Sequence, residues 1–336
     1  MKTVCFGEIM LRLAPENYLR FVQAEKFEAV YGGAESNVSV SLANYGMDSV
    51  FVTKLPDNPI GQAALNSLRR FGVDTTKIVR GGARLGIYFC EKGASQRPSK
   101  VVYDRAGSSI ALAKRTDFDW DAILDGADWF YFTGITPALG GELPEICMDA
   151  LQACRRKGIK TSCDLNYRSN LWTTEEAGRV MRDLVRLVDV CIANEEHANL
   201  VLGIRADEGL TGDAAYESVA KKLSAQFGCR QTVLTIRSST SADDNTLTAM
   251  LYDAVSDAVC FAKKYSIHIV DRIGGGDAFS GGLLYALDAG RTPEDAIEFA
   301  TAAAVLKHSI EGDCNHVSVS EVDALVKGGG SGRVQR

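Results

Sequence analysis

Three consecutive glycines followed by an aspartate form the strongest chemical signal in the sequence. The glycines, residues 274–276, follow a strand-like segment at 267–270, and Asp277 opens a predicted helix that runs to about residue 289. Glycines allow a tight turn with unhindered amides, and the N-terminus of a helix carries positive partial charge. The segment therefore predicts an anion site that suits phosphate oxygens.

Asp277 gives this anion site a catalytic interpretation. A carboxylate would repel a phosphate that was only bound, but it has a use if a substrate hydroxyl lies between the two. The carboxylate then accepts the hydroxyl proton, while the glycine amides stabilise charge on the phosphoryl group in transfer. The alternative is structural: Asp277 caps the helix and the glycines only form a turn.

The elements around this segment alternate between short apolar strands and helices. Strands that are apolar throughout are buried on both faces, which favours an α/β fold with a mainly parallel sheet covered by helices. Two regions, about 9–31 and 86–107, instead contain short alternating strands with no helix between them; they form either a lid over the carboxyl edge of the sheet or an extension of its edge. The predicted strands are 50–55, Trp129–Thr133, 160–165, 188–193 and 232–236, and the predicted helices are 62–71, Leu143–Lys157, 175–187 and 214–227.

Composition excludes several functional classes. The 336 residues carry a net charge of −6, from 37 Lys and Arg against 43 Asp and Glu, without a basic stripe, which argues against a nucleic-acid partner. The nine cysteines include no C-x-x-C pair, so neither a zinc site nor a disulfide framework is indicated, and a reducing compartment is expected. We find no signal peptide and no apolar run near the roughly 18 residues of a membrane span, so we expect a cytoplasmic protein with no membrane contact. P-loop and Rossmann glycine motifs are also missing.

The glycine-rich segment resembles a known signature. Asp271-Arg-Ile-Gly-Gly-Gly-Asp277 is similar to the D-T-x-G-A-G-D motif of the ribokinase-like (PfkB) carbohydrate kinases. A second motif of that family, a Gly-Gly pair followed by Asn on a helix, resembles the segment that begins Gly32-Gly-Ala-Glu-Ser-Asn37. The two motifs stand in the family's order and at about its spacing, and the resemblance covers roughly residues 2–326.

The resemblance implies an architecture and a reaction. The fold would be a doubly wound, mainly parallel sheet flanked by helices, in one kinase domain over residues 1–326. The regions 9–31 and 86–107 would form a small β-sheet lid, and 327–336 would be a flexible C-terminal tail. Asp277 would be the general base, the amides of Gly274, Gly275 and Gly276 an anion hole, and ATP with Mg²⁺ the phosphoryl donor.

Within the family, the chain looks closest to the 2-keto-3-deoxygluconate kinases. The similarity lies in the segments 86–88, 103–109 and 164–168. A sugar acid carries a carboxylate, which Arg105 and Arg168 suit as bidentate forks, while Tyr88 and Tyr103 offer hydroxyl groups. The structural alternative for each arginine is an ion pair within the protein.

The expected reaction is therefore the ATP-dependent phosphorylation of 2-keto-3-deoxy-D-gluconate to its 6-phosphate. Fructose, ribose and 2-keto-3-deoxygalactonate remain alternative substrates, and a non-catalytic sugar- or nucleotide-binding protein is a further alternative. The resemblance also places Gly33, Asn37 and Asp313 against the sugar. Asn37 could instead belong to the helix start, and Asp313 could cap a turn.

The nucleotide side departs from the family pattern. Relatives carry an N-x-x-E motif, whereas this chain reads Asn194-Glu-Glu-His197, so the acidic role is vacant or has moved. We expect Asn194 near the phosphates and Glu195 as a contact for Mg²⁺. Arg237 and Ser238 begin a hydroxyl-rich segment, 237–245, that either contacts the nucleotide or forms a solvated hairpin loop. A homodimer through the lid is the expected assembly, because the lid strands contain the apolar residues Phe27, Val30, Ile87 and Phe89. A lid that closes only on its own core would show a similar pattern.

Overall fold

The computed structural model describes residues 2–329, so residues 330–336 of the predicted tail lie outside the described part of the chain. The helices are α1 (Ala34–Asn44), α2 (Pro59–Arg69), α3 (Trp120–Ile123), α4 (Ile135–Ala138), α5 (Leu143–Lys157), α6 (Thr174–Val185), α7 (Glu195–His197), α8 (Asp213–Phe227), α9 (Gly275–Asp288), α10 (Pro293–Lys307) and α11 (Val319–Val326). The strands are β1 (Lys2–Phe6), β2 (Met10–Ala14), β3 (Glu28–Gly32), β4 (Asp48–Val52), β5 (Lys54–Leu55), β6 (Val79–Arg80), β7 (Gly86–Glu91), β8 (Lys100–Asp104), β9 (Trp129–Thr133), β10 (Lys160–Asp164), β11 (Val190–Ala193), β12 (Gln231–Ser239), β13 (Asp244–Asp253), β14 (Ala258–Phe261) and β15 (Tyr265–His268).

A nine-stranded sheet forms the centre of the structure. Its order is β14-β13-β12-β11-β10-β9-β1-β4, with β15 also paired to β13. The strands β4, β1, β9, β10, β11 and β12, which are neighbours in that order, pair in parallel. Strands β13, β14 and β15 add an antiparallel edge. The predicted α/β fold with a mainly parallel sheet is therefore confirmed.

Helices cover both faces of this sheet and create two separate hydrophobic clusters. Val4 and Phe6 of β1 belong to the cluster beneath α5, α6 and α8, whereas Cys5 between them belongs to the cluster beneath α1, α9 and α10. Successive strand residues point to opposite faces, so a strand buried on both sides must be apolar at every position. This explains why the central strands are recognisable as continuous apolar runs.

Local signals in the sequence fix the ends of the helices. Helix α5 has Pro144 in its first turn and three basic residues in its last turn, and it ends at Gly158 with φ of 70°. Proline suits the first turn because its missing N–H has no intrahelical acceptor there. Basic side chains interact favourably with the negative end of the helix, and glycine adopts the left-handed conformation at little cost.

A second sheet of four strands, in the order β3-β2-β7-β8, confirms the small separate sheet predicted as a lid. Strands β2 and β7 pair in parallel, and the two outer strands are antiparallel to them. Met10, Arg12 and Tyr88 of this sheet are buried, while Val102 is 53% exposed. The sheet thus has an inner face toward the body of the protein and an outer face toward solvent.

The strands predicted at 50–55 and 232–236 differ from the observed ones in ways that the strand pairing explains. The strand predicted at 50–55 is divided into β4 and β5, because β5 leaves the main sheet and pairs with β6. The strand predicted at 232–236 continues to Ser239, since the register with β13 extends to the pair Ser239 and Asn245. The predicted loop at 237–245 is therefore mostly strand, with a short turn at 240–243. No helix within residues 2–329 combines the length and apolar character that crossing a membrane requires.

Candidate active site

A cavity of about 340 Å³ lies between the small sheet and the segment that contains the three glycines. It brings together residues from both ends of the chain. Three of the residues predicted to contact the nucleotide or Mg²⁺, Asn194, Glu195 and Ser238, are not part of its lining. The predicted residues that line it are Gly33, Asn37, Tyr88, Tyr103, Arg105, Arg168, Arg237, Gly274, Gly275, Gly276, Asp277 and Asp313.

Two positions of the glycine segment, Gly274 and Gly275, require glycine. Gly274 has φ of 82°, a conformation that side chains other than glycine rarely adopt, and a Cβ there would lie 1.9 Å from the carbonyl oxygen of Asp313. A Cβ at Gly275 would lie 2.3 Å from Cε1 of His308. Helix α9 begins at Gly275, and the first amides of a helix have no intrahelical acceptor. The predicted anion hole is thus geometrically available.

Asp277 lies in the first turn of α9 and is held by helix α1. The amide nitrogen of Asn37 donates a hydrogen bond of 2.7 Å to its Oδ2. Burial raises the pKa of Asp277 to about 6; the bond from Asn37 and the charges of Arg168 and Lys307 act to lower it, and the charge of Asp313 acts to raise it. A carboxylate with a pKa just below neutrality is suited to general-base chemistry, because it is ionised yet able to hold a proton.

Asn37 has the helix-start role that the sequence offered as one alternative, and it has a further role that was not predicted. Its Oδ1 accepts a hydrogen bond of 3.3 Å from the amide of Gly33 at the start of α1. Its nitrogen meanwhile reaches Asp277 across the boundary between α1 and α9. The same side chain therefore orders the helix start and orients the carboxylate.

The two arginines predicted to bind a carboxylate have different surroundings. Arg105 forms a buried ion pair with Glu8, which also accepts a hydrogen bond of 2.7 Å from Ser108. Arg168 donates only to the carbonyl oxygen of Tyr167, at 3.2 Å, and has no carboxylate within 4 Å among residues 2–329. Arg105 therefore forms an ion pair within the protein, which was the structural alternative to binding a substrate carboxylate. Arg168 instead has an unpaired guanidinium group at the cavity.

Asp313 is tied to the small sheet by two hydrogen bonds. Its carboxylate accepts one from Nη1 of Arg12, at 2.7 Å, and one from the hydroxyl of Tyr88. Nη2 of Arg12 donates to Asp271, also at 2.7 Å, so this 2% exposed arginine joins both acids. The network connects the small sheet to the first residue of the glycine signature.

Several residues of this region were missed in the sequence. Asp164, which ends β10, lines the cavity, and burial raises its pKa to about 7. Arg12 was missed although an arginine within an alternating apolar strand signals a buried partner. Arg272 also lines the cavity, and it stands at the sequence position where the resembled signature has threonine. Each was visible as a charged residue at a strand end or inside a motif, but its partner was not.

The residues predicted for Mg²⁺ and phosphate near β11 have a local structural role. Oδ1 of Asn194 accepts a hydrogen bond of 2.6 Å from the amide of His197 and so caps α7. Glu195 is exposed, and residues 2–329 contain no group of three or more His, Cys, Asp or Glu residues that could hold a metal ion. A divalent ion would fit this site when held mainly by phosphates and water.

Comparison with known proteins identifies the class to which this fold and cavity belong. The model of the pfkB family of carbohydrate kinases matches residues 1–318. The structure of 2-dehydro-3-deoxygluconokinase from Thermotoga maritima superimposes with a TM-score of 0.95 and 52% identity, covering 97% of this chain and 99% of that one. That of a PfkB family carbohydrate kinase from Listeria grayi gives 0.91 and 35% identity, covering 97% and 100%. A 2-dehydro-3-deoxygalactonokinase from Haloferax volcanii is 36% identical over 329 residues, 98% of each chain.

The chain belongs to the PfkB family of carbohydrate kinases, and its fold is ribokinase-like, with a central sheet and a small lid sheet. It is a sugar kinase whose similar relatives include kinases for 2-keto-3-deoxy sugar acids (the 2-dehydro-3-deoxy acids of the relatives' names).

Proposed function

We propose that the protein phosphorylates 2-keto-3-deoxy-D-gluconate with ATP to give the 6-phosphate. The observation that carries this proposal is the cavity itself, where Asp277 and the glycine amides share the space with the unpaired guanidinium group of Arg168. A general base beside an anion hole is an arrangement that phosphoryl transfer uses, and an unpaired arginine suits a substrate that carries a carboxylate. The 52% identity to a 2-dehydro-3-deoxygluconokinase supports the same substrate.

In the proposed mechanism, Asp277 accepts the proton of the substrate's terminal hydroxyl as the oxygen attacks the phosphoryl group. Asn37 holds the carboxylate toward the cavity, and the amides of Gly274, Gly275 and Gly276 stabilise the charge that spreads over the phosphoryl oxygens. Mg²⁺ would be held mainly by the nucleotide phosphates and water, with Glu195 as the predicted protein contact, and would supply further charge neutralisation. The proton leaves Asp277 for solvent when the product departs.

The rest of the cavity would orient the sugar acid. Arg168 would bind the carboxylate, with Arg105 as a second contact that its ion pair with Glu8 holds rigid. Tyr88 and Tyr103, whose ring centres are 6.0 Å apart, lie on the lid above. Gly33 and Asp313 stay predicted sugar contacts, and Asn194, Arg237 and Ser238 stay predicted nucleotide contacts.

The galacto epimer is a second candidate substrate. The 36% identity to a 2-dehydro-3-deoxygalactonokinase favours it specifically. The two acids differ only in the configuration at one carbon, so both satisfy the arginine and the base. Fructose and ribose lack the carboxylate and leave Arg168 without a partner.

An assay of ADP release with Mg·ATP tests this proposal. It would compare both 2-keto-3-deoxy acids with fructose and ribose, using wild type, Arg168→Ala and Asp277→Asn. Arg205→Ala, at an arginine that does not line the cavity, is the control. We expect the acids to be preferred, Arg168→Ala to lose kcat/KM for acids alone, and Asp277→Asn to lose at least about 10²-fold in kcat. Preference for a neutral sugar would reject the substrate, and normal turnover by Asp277→Asn would reject the mechanism.

We also propose that residues 1–326 form a single kinase domain and that two copies pair through the outer face of the lid sheet. Ile87, Phe89 and Val102 give this face its apolar character, and Val102 is 53% exposed. Sedimentation of Val102→Asp should show a shift toward monomer. Val255→Asp, which changes a valine 71% exposed outside the lid, should sediment as wild type does. A wild-type monomer would contradict the dimer.

A further inference from the structure

Two arginines at the wall of the cavity have no acidic partner. Arg237 lies near the end of β12, and Arg272 follows Asp271 at the position where the resembled signature has threonine. Both line the cavity that contains the three glycines. Within residues 2–329, no carboxylate oxygen lies within 4 Å of either guanidinium group. Two cations beside an anion hole without internal neutralisation point to an anionic ligand of more than one charge.

The hairpin between β12 and β13 accepts hydrogen bonds from only one nitrogen of the Arg272 guanidinium group. Its Nη2 donates to the carbonyl oxygen of Ala242 at 3.1 Å and to Oδ1 of Asn245 at 3.3 Å. Asn245 is itself buried and bound by Ser239 and Ser241. Nε and Nη1 of Arg272 have no acceptor among residues 2–329, so they remain for a ligand. A guanidinium group held this way loses little freedom when it binds.

Arg237 is positioned by a buried histidine. Its Nη2 lies 2.8 Å from Nε2 of His308, while Nδ1 of His308 lies 2.6 Å from the carbonyl oxygen of Ala304. The carbonyl accepts a hydrogen bond from the Nδ1–H group, so Nε2 carries no proton and is the acceptor for Arg237. Burial lowers the pKa of His308 to about 3, which keeps the ring neutral and able to accept. The same ring packs against Gly275, so it also supports the anion hole.

The two guanidinium groups influence each other. Desolvation, together with the positive charge of Arg272, lowers the pKa of Arg237 to about 10. Like charges held together without a counter-ion are unfavourable, and an anion that binds both removes that cost. A phosphate chain that starts at the glycine amides and continues along the same wall has the required charge and length.

We propose that Arg272 joins Arg237, already a predicted nucleotide contact, in binding the phosphate chain of the nucleotide, with Arg272 a catalytic residue and His308 a positioning residue for Arg237. The proposal extends the donor site of the proposed function and rests on it. The P–O bond to the nucleotide breaks as the bond to the substrate oxygen forms, and the proton goes to Asp277. Both arginines keep their protons and neutralise charge on the transferring group and on the leaving ADP.

Binding of Mg·ATP and of AMP, measured by calorimetry without any sugar, provides the test. Arg272→Met and Arg237→Met should raise the Kd of ATP about 10- to 100-fold, as expected for lost hydrogen bonds to a charged group, and should barely change that of AMP. Arg272→Lys should recover part of the loss. His308→Gln, which keeps an acceptor near the Nε2 position, should bind ATP better than His308→Leu. Arg205→Met changes an arginine that donates to Asn199 and does not line the cavity, and it is the matched control.

Steady-state kinetics distinguish this proposal from the alternative that the two arginines bind the sugar acid. They also make the test independent of the substrate assignment. We expect the KM for the sugar acid to change less than about threefold in both arginine variants. If that KM rises while ATP binding is unchanged, the arginines bind the sugar acid and the proposal is overturned. Unchanged ATP binding and unchanged kinetics would also overturn it. ATP binding without sugar does not depend on which sugar is phosphorylated, so a wrong substrate assignment would leave this result intact.

Discussion

Removing the hydrogen bond from Asn37 should move the pH dependence of catalysis. In Asn37→Leu a side chain of similar size no longer donates to Oδ2 of Asp277, at 2.7 Å in the native protein. A hydrogen bond to a charged group contributes about 1.5–3 kcal/mol, and one pKa unit corresponds to about 1.4 kcal/mol. The pKa of Asp277, raised by burial to about 6, should therefore rise by a further one to two units or so.

The profile of kcat/KM against pH measures this change, because its acidic limb reports the base of the free enzyme. The limb should lie near pH 6 in wild type and at higher pH in the variant. The charged groups around Asp277 (Arg168, Lys307, Asp164 and Asp313) are the same in both proteins. Ser39→Ala, which removes a buried hydroxyl from the same helix, is the control. A limb that stays in place or moves to lower pH would show that Asp277 is not the titrating base.

Three other perturbations test the surroundings of the site. Arg12→Met leaves Asp271 and Asp313 buried without their cation, so the free energy of unfolding in urea should fall by about 3–5 kcal/mol; a loss below about 1 kcal/mol would contradict the network. Gly274→Ala forces a Cβ against the carbonyl of Asp313 and should lower kcat about 10²-fold with a smaller change in KM, and an unchanged kcat would show that the loop is not the anion hole. Glu35 is buried, and burial raises its pKa from 4.5 to about 7, so its stabilising contribution is complete at low pH and is lost as pH rises through about 7. Glu35→Gln should therefore gain stability relative to wild type between about pH 5 and pH 8 in thermal unfolding, and a constant difference would refute this.

Elements with a single local cause were predictable from the sequence. Helix α5 and strand β9 have the predicted bounds, because capping residues end the helix and a fully apolar run defines the strand. The continuation of β12 to Ser239 was not predicted, since its last residues are polar and resemble a loop. Only the pairing with β13, which is not visible locally, makes them strand.

The same distinction applies to the site. The glycines and Asp277 are recognisable because one short segment contains the anion hole and the base. The roles of Arg12 and Arg105 depend on partners that lie far away in the chain, and a sequence pattern does not show which carboxylate an arginine meets. Arg272 was missed for a related reason. Its hydrogen-bond acceptors lie in a hairpin about thirty positions upstream, and neither the carbonyl oxygen of Ala242 nor the amide oxygen of Asn245 gives a distinctive signal in the sequence.

The ionic bridge through Arg12 also constrains how this protein is made. A ribosome delivers Arg12 at the beginning of synthesis, but its partners Asp271 and Asp313 follow 259 and 301 residues later. A buried guanidinium group without a counter-ion is strongly unfavourable, so the lid cannot settle on a nascent chain that lacks these acids. Asn37 likewise cannot form its hydrogen bond until Asp277 is synthesised, 240 residues later. A chain that ends before Asp271 would therefore lack both the closed lid and the oriented base, and it could not carry out the proposed reaction.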